Sequence, residues 1–163
     1  MSENMRSMMI GTAGLHILAL IALVLTLSRT FKQGNEARLD GLVRVFLIGL
    51  ACQCLHCIEE FATGFYLLFP QFLGLVAWSP EFFVAFNLGW MAVWLVSAVG
   101  IRKHYRMAYF PVWFFALGMF ANGIGHPLLA LIYGGYFPGL FTSPLVGIVG
   151  FLLARHLFQA TER

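Results

Sequence analysis

Long apolar runs separated by short polar stretches dominate this chain of 163 residues. Each run is close to or above the ~20 residues that a helix needs to cross ~30 Å of hydrocarbon. Short segments of strict polar and apolar alternation, which would indicate a β-barrel, are not visible in the sequence. The pattern predicts an all-α fold, a polytopic membrane helix bundle that forms a single transmembrane domain over residues 1–163. The predicted helices, about five in number, cover approximately residues 8–27, 42–69, 82–101, 109–133 and 140–157.

Composition agrees with a location inside the bilayer. Hydrophobic residues make up 60% of the chain, charged residues make up 10%, and the mean hydropathy is +0.83. A soluble domain carries roughly 25% charged residues, so this chain has too few to solvate a globule. No basic face with interleaved aromatic residues is present, and we therefore exclude nucleic acid as a partner. The expected partner is membrane lipid.

The Lys and Arg residues are distributed unevenly over the predicted connections. The connections at residues 70–80 and 134–143 contain none, and Arg6 stands alone at the N-terminal end. Basic residues accumulate on the cytoplasmic side of membrane proteins. We therefore predict that the N-terminus lies outside and the C-terminus in the cytoplasm of a multi-pass protein, with a bacterial inner (plasma) membrane as the expected location. The basic residues predicted on the cytoplasmic side are Arg29, Lys32, Arg38, Arg44, Arg102, Lys103, Arg106, Arg155 and Arg163.

The second predicted helix carries a polar stripe. His56 and Glu60 are four residues apart and lie about 40° apart around a helix, and Glu59 flanks them about 60° to the other side. An ionisable residue inside a membrane costs at least ~2.5–3.5 kcal/mol unless it is paired, neutralised or placed against a cavity. The stripe is therefore a candidate functional site.

The fourth predicted helix repeats this arrangement. Asn122 and His126 are four residues apart, so their side chains lie one above the other on one face. Tyr133 lies on the same helix, and Tyr136 follows in the turn after it. Glycines near Asn122 either permit close helix packing or leave room for a ligand.

The depth of these residues links the helices. By the ~1.5 Å rise per residue, Glu60 is roughly 14 Å and His126 about 10 Å from the outer ends of their predicted helices. Asn87 in the third helix and His16 in the first are roughly 9 Å and 12 Å deep by the same measure. We predict that these side chains form one polar layer in the outer half of the membrane, with Asn87, Tyr133 and Tyr136 as candidate substrate or mouth residues.

Two kinds of chemistry suit two carboxylates, imidazoles and an amide. The first is binding of a divalent metal, Zn²⁺ or Fe, by His56, Glu60 and His126, with Glu59 and His16 as further candidate ligands. The second is metal-free acid–base catalysis, because burial and like-charge repulsion favour the protonated form of one of two neighbouring carboxyl groups. The sequence leaves open whether a metal is bound.

The motifs resemble those of the HXXEE family of small integral membrane proteins. Residues 56–60 match its HxxEE motif, Asn122 to His126 match NxxxH, and residues 136–139 match YxPG. The resemblance extends from the second predicted helix to the end of the chain, and Phe137 stands where many members carry a more polar residue. The family has no known activity and is regarded as a group of membrane enzymes. The resemblance implies that the residues of these motifs belong to one site.

Three functions remain open from the sequence. The first is a membrane enzyme that acts on a lipid or another apolar small molecule, with Glu59, Glu60, His56, His126 and Asn122 as catalytic residues. The second is a transporter or channel for protons, a metal ion or a small solute. The third is a structural or accessory subunit, and a homo-oligomer is compatible with each of the three.

Overall fold

The structure, a computed structural model, describes residues 2–31 and 36–162. These residues form an all-α membrane helix bundle, which confirms the predicted fold class. Four helices are long and apolar enough to cross a membrane, and a bent pair at the N-terminal end makes up to five. The helices are α1 (Glu3–Gly11), α2 (Ala13–Ser28), α3 (Glu36–Ala62), α4 (Phe65–Phe72), α5 (Pro80–Arg102), α6 (Tyr109–Tyr133) and α7 (Ser143–Ala160).

The first predicted helix is broken. Helices α1 and α2 meet at Thr12 with a bend of 47°. The Thr12 hydroxyl donates to the Met8 carbonyl, and the carbonyl of Thr12 accepts the first hydrogen bonds of α2. At Gly11, the ring of Trp78 lies so close that a Cβ would be 2.3 Å from it, so a small residue is needed at the bend.

The prediction of one helix over residues 42–69 is wrong. Helix α3 begins earlier, at Glu36, and ends at Ala62, and α4 follows as a separate element. Gly64 separates the two with a φ of +81°, a left-handed conformation that glycine adopts without a Cβ clash. The apolar run continues through this break, so hydropathy alone did not reveal it.

The tightest helix contact joins α6 and α7. A Cβ at Gly123 would lie 2.4 Å from the Cα of Gly147, so the two backbones touch at this level. A Cβ at Gly150 would lie 2.5 Å from the backbone nitrogen of Phe120. Of the two roles expected for glycines on α6, close packing is therefore the one that Gly123 serves.

Basic residues gather at one end of the bundle. Two short strands, β1 (Thr30–Phe31) and β2 (Thr161–Glu162), pair antiparallel and join the segment after α2 to the C-terminal end. Arg29 donates to Thr161, and Arg102 forms an ion pair with Asp40 at 3.3 Å. Four crossings, by α3, α5, α6 and α7, separate the segment after α2 from the C-terminal end. An even number of crossings is expected to return the chain to the same side. Lys32 and Arg163 lie outside the described residues, and the side of the membrane remains a prediction.

Candidate metal centre

Three buried side chains from two helices converge at the opposite end of the bundle. His56 and Glu60 lie one turn apart on α3, and His126 comes from α6. Glu60 Oε1 is 3.6 Å from His56 Nε2 and 3.4 Å from His126 Nε2. One ligand atom from each residue lies within 4.8 Å of the other two, so the group could hold a metal ion. The two imidazoles meet edge to face, with ring centroids 4.8 Å apart.

The tautomer of His126 follows from its second nitrogen. His126 Nδ1 lies 2.6 Å from the carbonyl oxygen of Pro138. A carbonyl oxygen only accepts, so Nδ1 carries the proton and donates it. In the neutral ring, Nε2 is then unprotonated and directs its lone pair at Glu60. A carbonyl that orients a metal-binding histidine in this way is common in metal sites.

The tautomer of His56 is set by a longer chain of hydrogen bonds. The Thr142 hydroxyl lies 2.7 Å from His56 Nδ1 and 2.5 Å from Glu59 Oε2. An ionised carboxylate only accepts, so the single hydroxyl proton of Thr142 goes to Glu59. The Thr142 oxygen must then accept from His56 Nδ1–H, which leaves His56 Nε2 unprotonated.

The Nε2 atoms of both histidines therefore lie within 3.6 Å of the same carboxylate oxygen, and that of His56 also accepts a hydrogen bond from Asn122 Nδ2 at 3.3 Å. Two unprotonated nitrogens and a carboxylate oxygen repel one another unless a cation or a proton lies between them. A proton shared by Glu60 and an imidazole would give an O···N distance of about 2.7–3.2 Å, shorter than the observed values. Ligand atoms ~2.0–2.1 Å from a tetrahedral Zn²⁺ are about 3.3–3.4 Å apart. The observed 3.4 and 3.6 Å are close to this spacing, so the group could hold a metal ion.

Glu59 faces away from this group despite being adjacent to Glu60. Its two carboxylate oxygens accept four hydrogen bonds, from the Tyr136 hydroxyl, the backbone N–H groups of Phe141 and Thr142, and the Thr142 hydroxyl. Four donors on two oxygens match an ionised carboxylate. Glu59 therefore anchors the segment between α6 and α7 and supports His56 through Thr142.

The same segment brings Gly139 against both imidazoles. Gly139 has a φ of +87°, and a Cβ there would lie 2.6 Å from His126 and 3.0 Å from His56. Glycine is thus required both for the backbone conformation and for the space. Pro138 and Gly139, two residues of the YxPG motif, shape the site through the backbone.

A cavity of about 500 Å³ begins at this group and continues between the helices. Glu60 and His126 line it at one end, together with the amides of Asn122 and Asn87. Asn122 Nδ2 lies 3.3 Å from His56 Nε2 and is oriented to donate to it. Asn87 accepts from the Cys57 thiol and donates to a backbone carbonyl within α5. Two of the three residues that could hold a metal, Glu60 and His126, therefore line this cavity.

Two predicted residues lie elsewhere. His16 is exposed on α2 and belongs neither to the His56–Glu60–His126 group nor to the cavity lining. The cavity face of α2 carries Leu15 and Leu18, and His16 is turned about 100° from Leu15 around the helix. Tyr133 is exposed, with its ring 5.8 Å from that of Phe137. Three helices, rather than the four predicted, contribute side chains to the polar layer.

Sequence reasoning missed Thr142 and the carbonyl of Pro138. Thr142 immediately precedes α7, where a threonine ordinarily indicates a helix cap, but its side chain makes no capping hydrogen bond here. Only the structure shows that the Thr142 side chain does not cap the helix. The Pro138 carbonyl carries no side-chain signal at all, and only the YxPG resemblance pointed to its neighbourhood.

The fold and this group of residues define a polytopic helical membrane protein with a buried His–Glu–His group able to hold a metal ion. The chain matched no protein-family model, no curated protein and no solved structure.

Proposed function

We propose that this protein is an intramembrane metalloenzyme that acts on a lipid or another apolar small molecule. His56, Glu60 and His126 would hold Zn²⁺ or Fe²⁺, and the cavity would bring the substrate to the open coordination position. The observation that supports this most directly is the convergence of two imidazole nitrogens on one carboxylate oxygen, at 3.4 and 3.6 Å, beside a cavity of about 500 Å³. Two histidines and one glutamate are a ligand set of catalytic zinc sites.

The surrounding residues would position the two histidines and the substrate. A metal at this position would acidify a bound water and polarise a substrate carbonyl or similar group. Glu59 and Thr142 would position His56, and the Pro138 carbonyl would position His126. Asn122, which lines the cavity and contacts His56, would orient the substrate.

We also propose that the chain is a member of the HXXEE family. All three motifs lie within one site: HxxEE supplies His56 and Glu60, NxxxH supplies His126, and YxPG forms the turn against the imidazoles. Support for membership rests on these motifs.

The cavity lining disfavours transport as the function. Beyond Gln53, the lining side chains toward the opposite end of the bundle are apolar or aromatic. Protons and metal ions need a continuous path of polar groups or water through the hydrocarbon region. These residues therefore favour an apolar substrate bound within the bundle over a solute that crosses it.

The metal content of purified protein tests the proposed site. We expect one Zn or Fe ion per chain by inductively coupled plasma mass spectrometry, and loss of that metal in Glu60→Gln and in His126→Gln. His16→Ala and Glu81→Gln are matched controls on α2 and α5, both exposed, and they should retain it. Wild-type protein without a stoichiometric metal, or equal metal in all variants, would overturn the metal site.

A second experiment tests the enzymatic role. Metal-loaded protein would be incubated with total membrane lipid, and the products would be analysed by mass spectrometry. We expect a lipid conversion by the wild-type protein that Glu60→Gln and chelator-treated protein do not perform. Full metal occupancy without any lipid conversion would indicate a structural metal and would contradict the enzymatic role.

A further inference from the structure

The cavity is long in relation to its volume. Its lining on α6 extends from Phe114 to Leu129, and its lining on α5 from Phe82 to Trp94. At ~1.5 Å per residue these stretches are roughly 22 and 18 Å long. A cavity of about 500 Å³ that extends over roughly 20 Å has room for an extended hydrocarbon chain along the helices.

The two ends of the cavity differ in chemistry. We call the end that carries Glu60 and His126 the polar end. The other end carries four aromatic residues that contact one another, and we call it the aromatic end. There the ring centroids of Trp90 and Phe114 are 4.6 Å apart, and those of Trp94 and Phe115 are 4.5 Å apart.

We propose that the substrate is a lipid with a long hydrocarbon chain. Its polar head lies at Glu60 and His126, its chain extends toward the aromatic end, and the aromatic end limits the length of that chain. This inference rests on the proposed function, because it takes the metal-binding group as the place where the head reacts. From His126 to Phe114 the distance along α6 is about 18 Å. An extended chain gains about 1.2 Å per bond, since three backbone bonds span ~3.5 Å, so the limit is roughly 15 carbons.

The packing of α2 provides a route for such a chain. Helix α2 packs mainly against α6, whereas α5 packs against α3 and α6. The cavity lies between α2 and α5, where Gly14, Leu15 and Leu18 face Phe82 and Phe86. No side chain is present at Gly14 to narrow this seam, and the membrane surrounds it. A lipid chain can therefore enter sideways from the bilayer.

Chain-length dependence of binding tests this proposal. The probes are unbranched saturated fatty acids of 8 to 22 carbons, added to the purified protein and measured by native mass spectrometry. We expect affinity to rise about fourfold per methylene group, as burial of each one predicts, up to roughly 15 carbons. Beyond that length it should fall. Affinity that keeps rising with length would overturn the inference.

Two variants check that the optimum is set inside the cavity. Gly118 lines it with nothing within 4 Å of its Cβ position, so Gly118→Leu should fit and shorten it. From His126 to this level is about 12 Å, which would lower the optimum to roughly 10 carbons. Phe114→Ala should move the optimum to longer chains. Phe120→Ala, at an exposed aromatic residue of α6 outside the lining, is the control and should leave it unchanged.

The same binding measurement on Glu60→Gln separates this inference from the proposed function. If the wild-type protein contains no metal but still shows the length optimum, the chain-binding cavity is supported and the metalloenzyme is rejected. A stoichiometric metal without any length optimum would retain the metal site and reject the chain-binding cavity. An optimum that Gly118→Leu and Phe114→Ala do not move would also reject it.

Discussion

The Thr142 hydroxyl lies 2.7 Å from His56 Nδ1 and 2.5 Å from Glu59 Oε2, and it links these two residues of helix α3 through hydrogen bonds. His56 and Glu59 are three positions apart on α3, yet they interact through the start of α7. The hydroxyl donates to one and accepts from the other. Its direction of donation is what leaves His56 Nε2 unprotonated.

Removal of this hydroxyl should weaken the metal site without unfolding the bundle. We predict that Thr142→Val lowers metal affinity about 10- to 100-fold, the usual effect of losing a group that orients a histidine ligand. Competition with a chelator of known affinity measures this. Thr142→Ser should recover most of the loss.

Thr26→Val serves as the control for that variant. Thr26 is a buried threonine of α2 whose hydroxyl bonds within its own helix. Its replacement should leave metal affinity unchanged. An equal loss in both variants would point to general destabilisation and would contradict the role assigned to Thr142.

Gly139 should be essential because of the limited space beside His126 as well as because of its backbone conformation. Gly139→Ala places a Cβ within 2.6 Å of His126, so we predict loss of metal together with a lower melting temperature. Gly134→Ala is the matched control, because Gly134 also has a positive φ, +81°, but nothing lies within 4 Å of its Cβ position. That control should cost about 1 kcal/mol of backbone strain and retain the metal. Equal metal retention in both variants would contradict the contact with the imidazole.

Tyr136 should remain a donor to Glu59 over the whole neutral range. Burial raises the pKa of Tyr136 above its ordinary value of about 10. A raised pKa favours the protonated form in the fold, so its contribution to stability is complete below pH ~10 and is lost only as the pH rises through the folded pKa. We predict that Tyr136→Phe lowers the melting temperature by a constant amount from pH 6 to 9. A difference that disappears within that range would show that the hydrogen bond with Glu59 is not the cause.

The distribution of basic residues predicts the orientation. Arg29, Arg38, Arg102 and Arg106 lie at the end of the bundle opposite the metal-binding group. With basic residues inside, a green fluorescent protein fused to the C-terminus should fluoresce, and alkaline phosphatase fused after Gly135 should be active. The reverse pattern would place the metal-binding group in the cytoplasmic half.

Much of the fold was predictable because hydropathy is a local property. The fourth predicted helix, over 109–133, has the same bounds as α6, and the number of spans agrees with the prediction. Depth along a helix is local as well, since it needs only a residue count and a rise per residue. It placed Glu60 and His126 at one level, where the structure brings them to 3.4 Å.

The sequence by itself determined that the chain spans a membrane as helices and that acidic and imidazole groups lie at one depth. Tertiary structure decided which of them meet. His16 has a suitable depth but does not lie on the face of α2 that lines the cavity. Which face of α2 lies against the cavity depends on how that helix packs. The tautomer of His56 depends on Thr142, 86 positions away, which no periodicity can indicate. Hydropathy and spacing report each helix separately, whereas hydrogen-bond direction at a site is set where the helices come together.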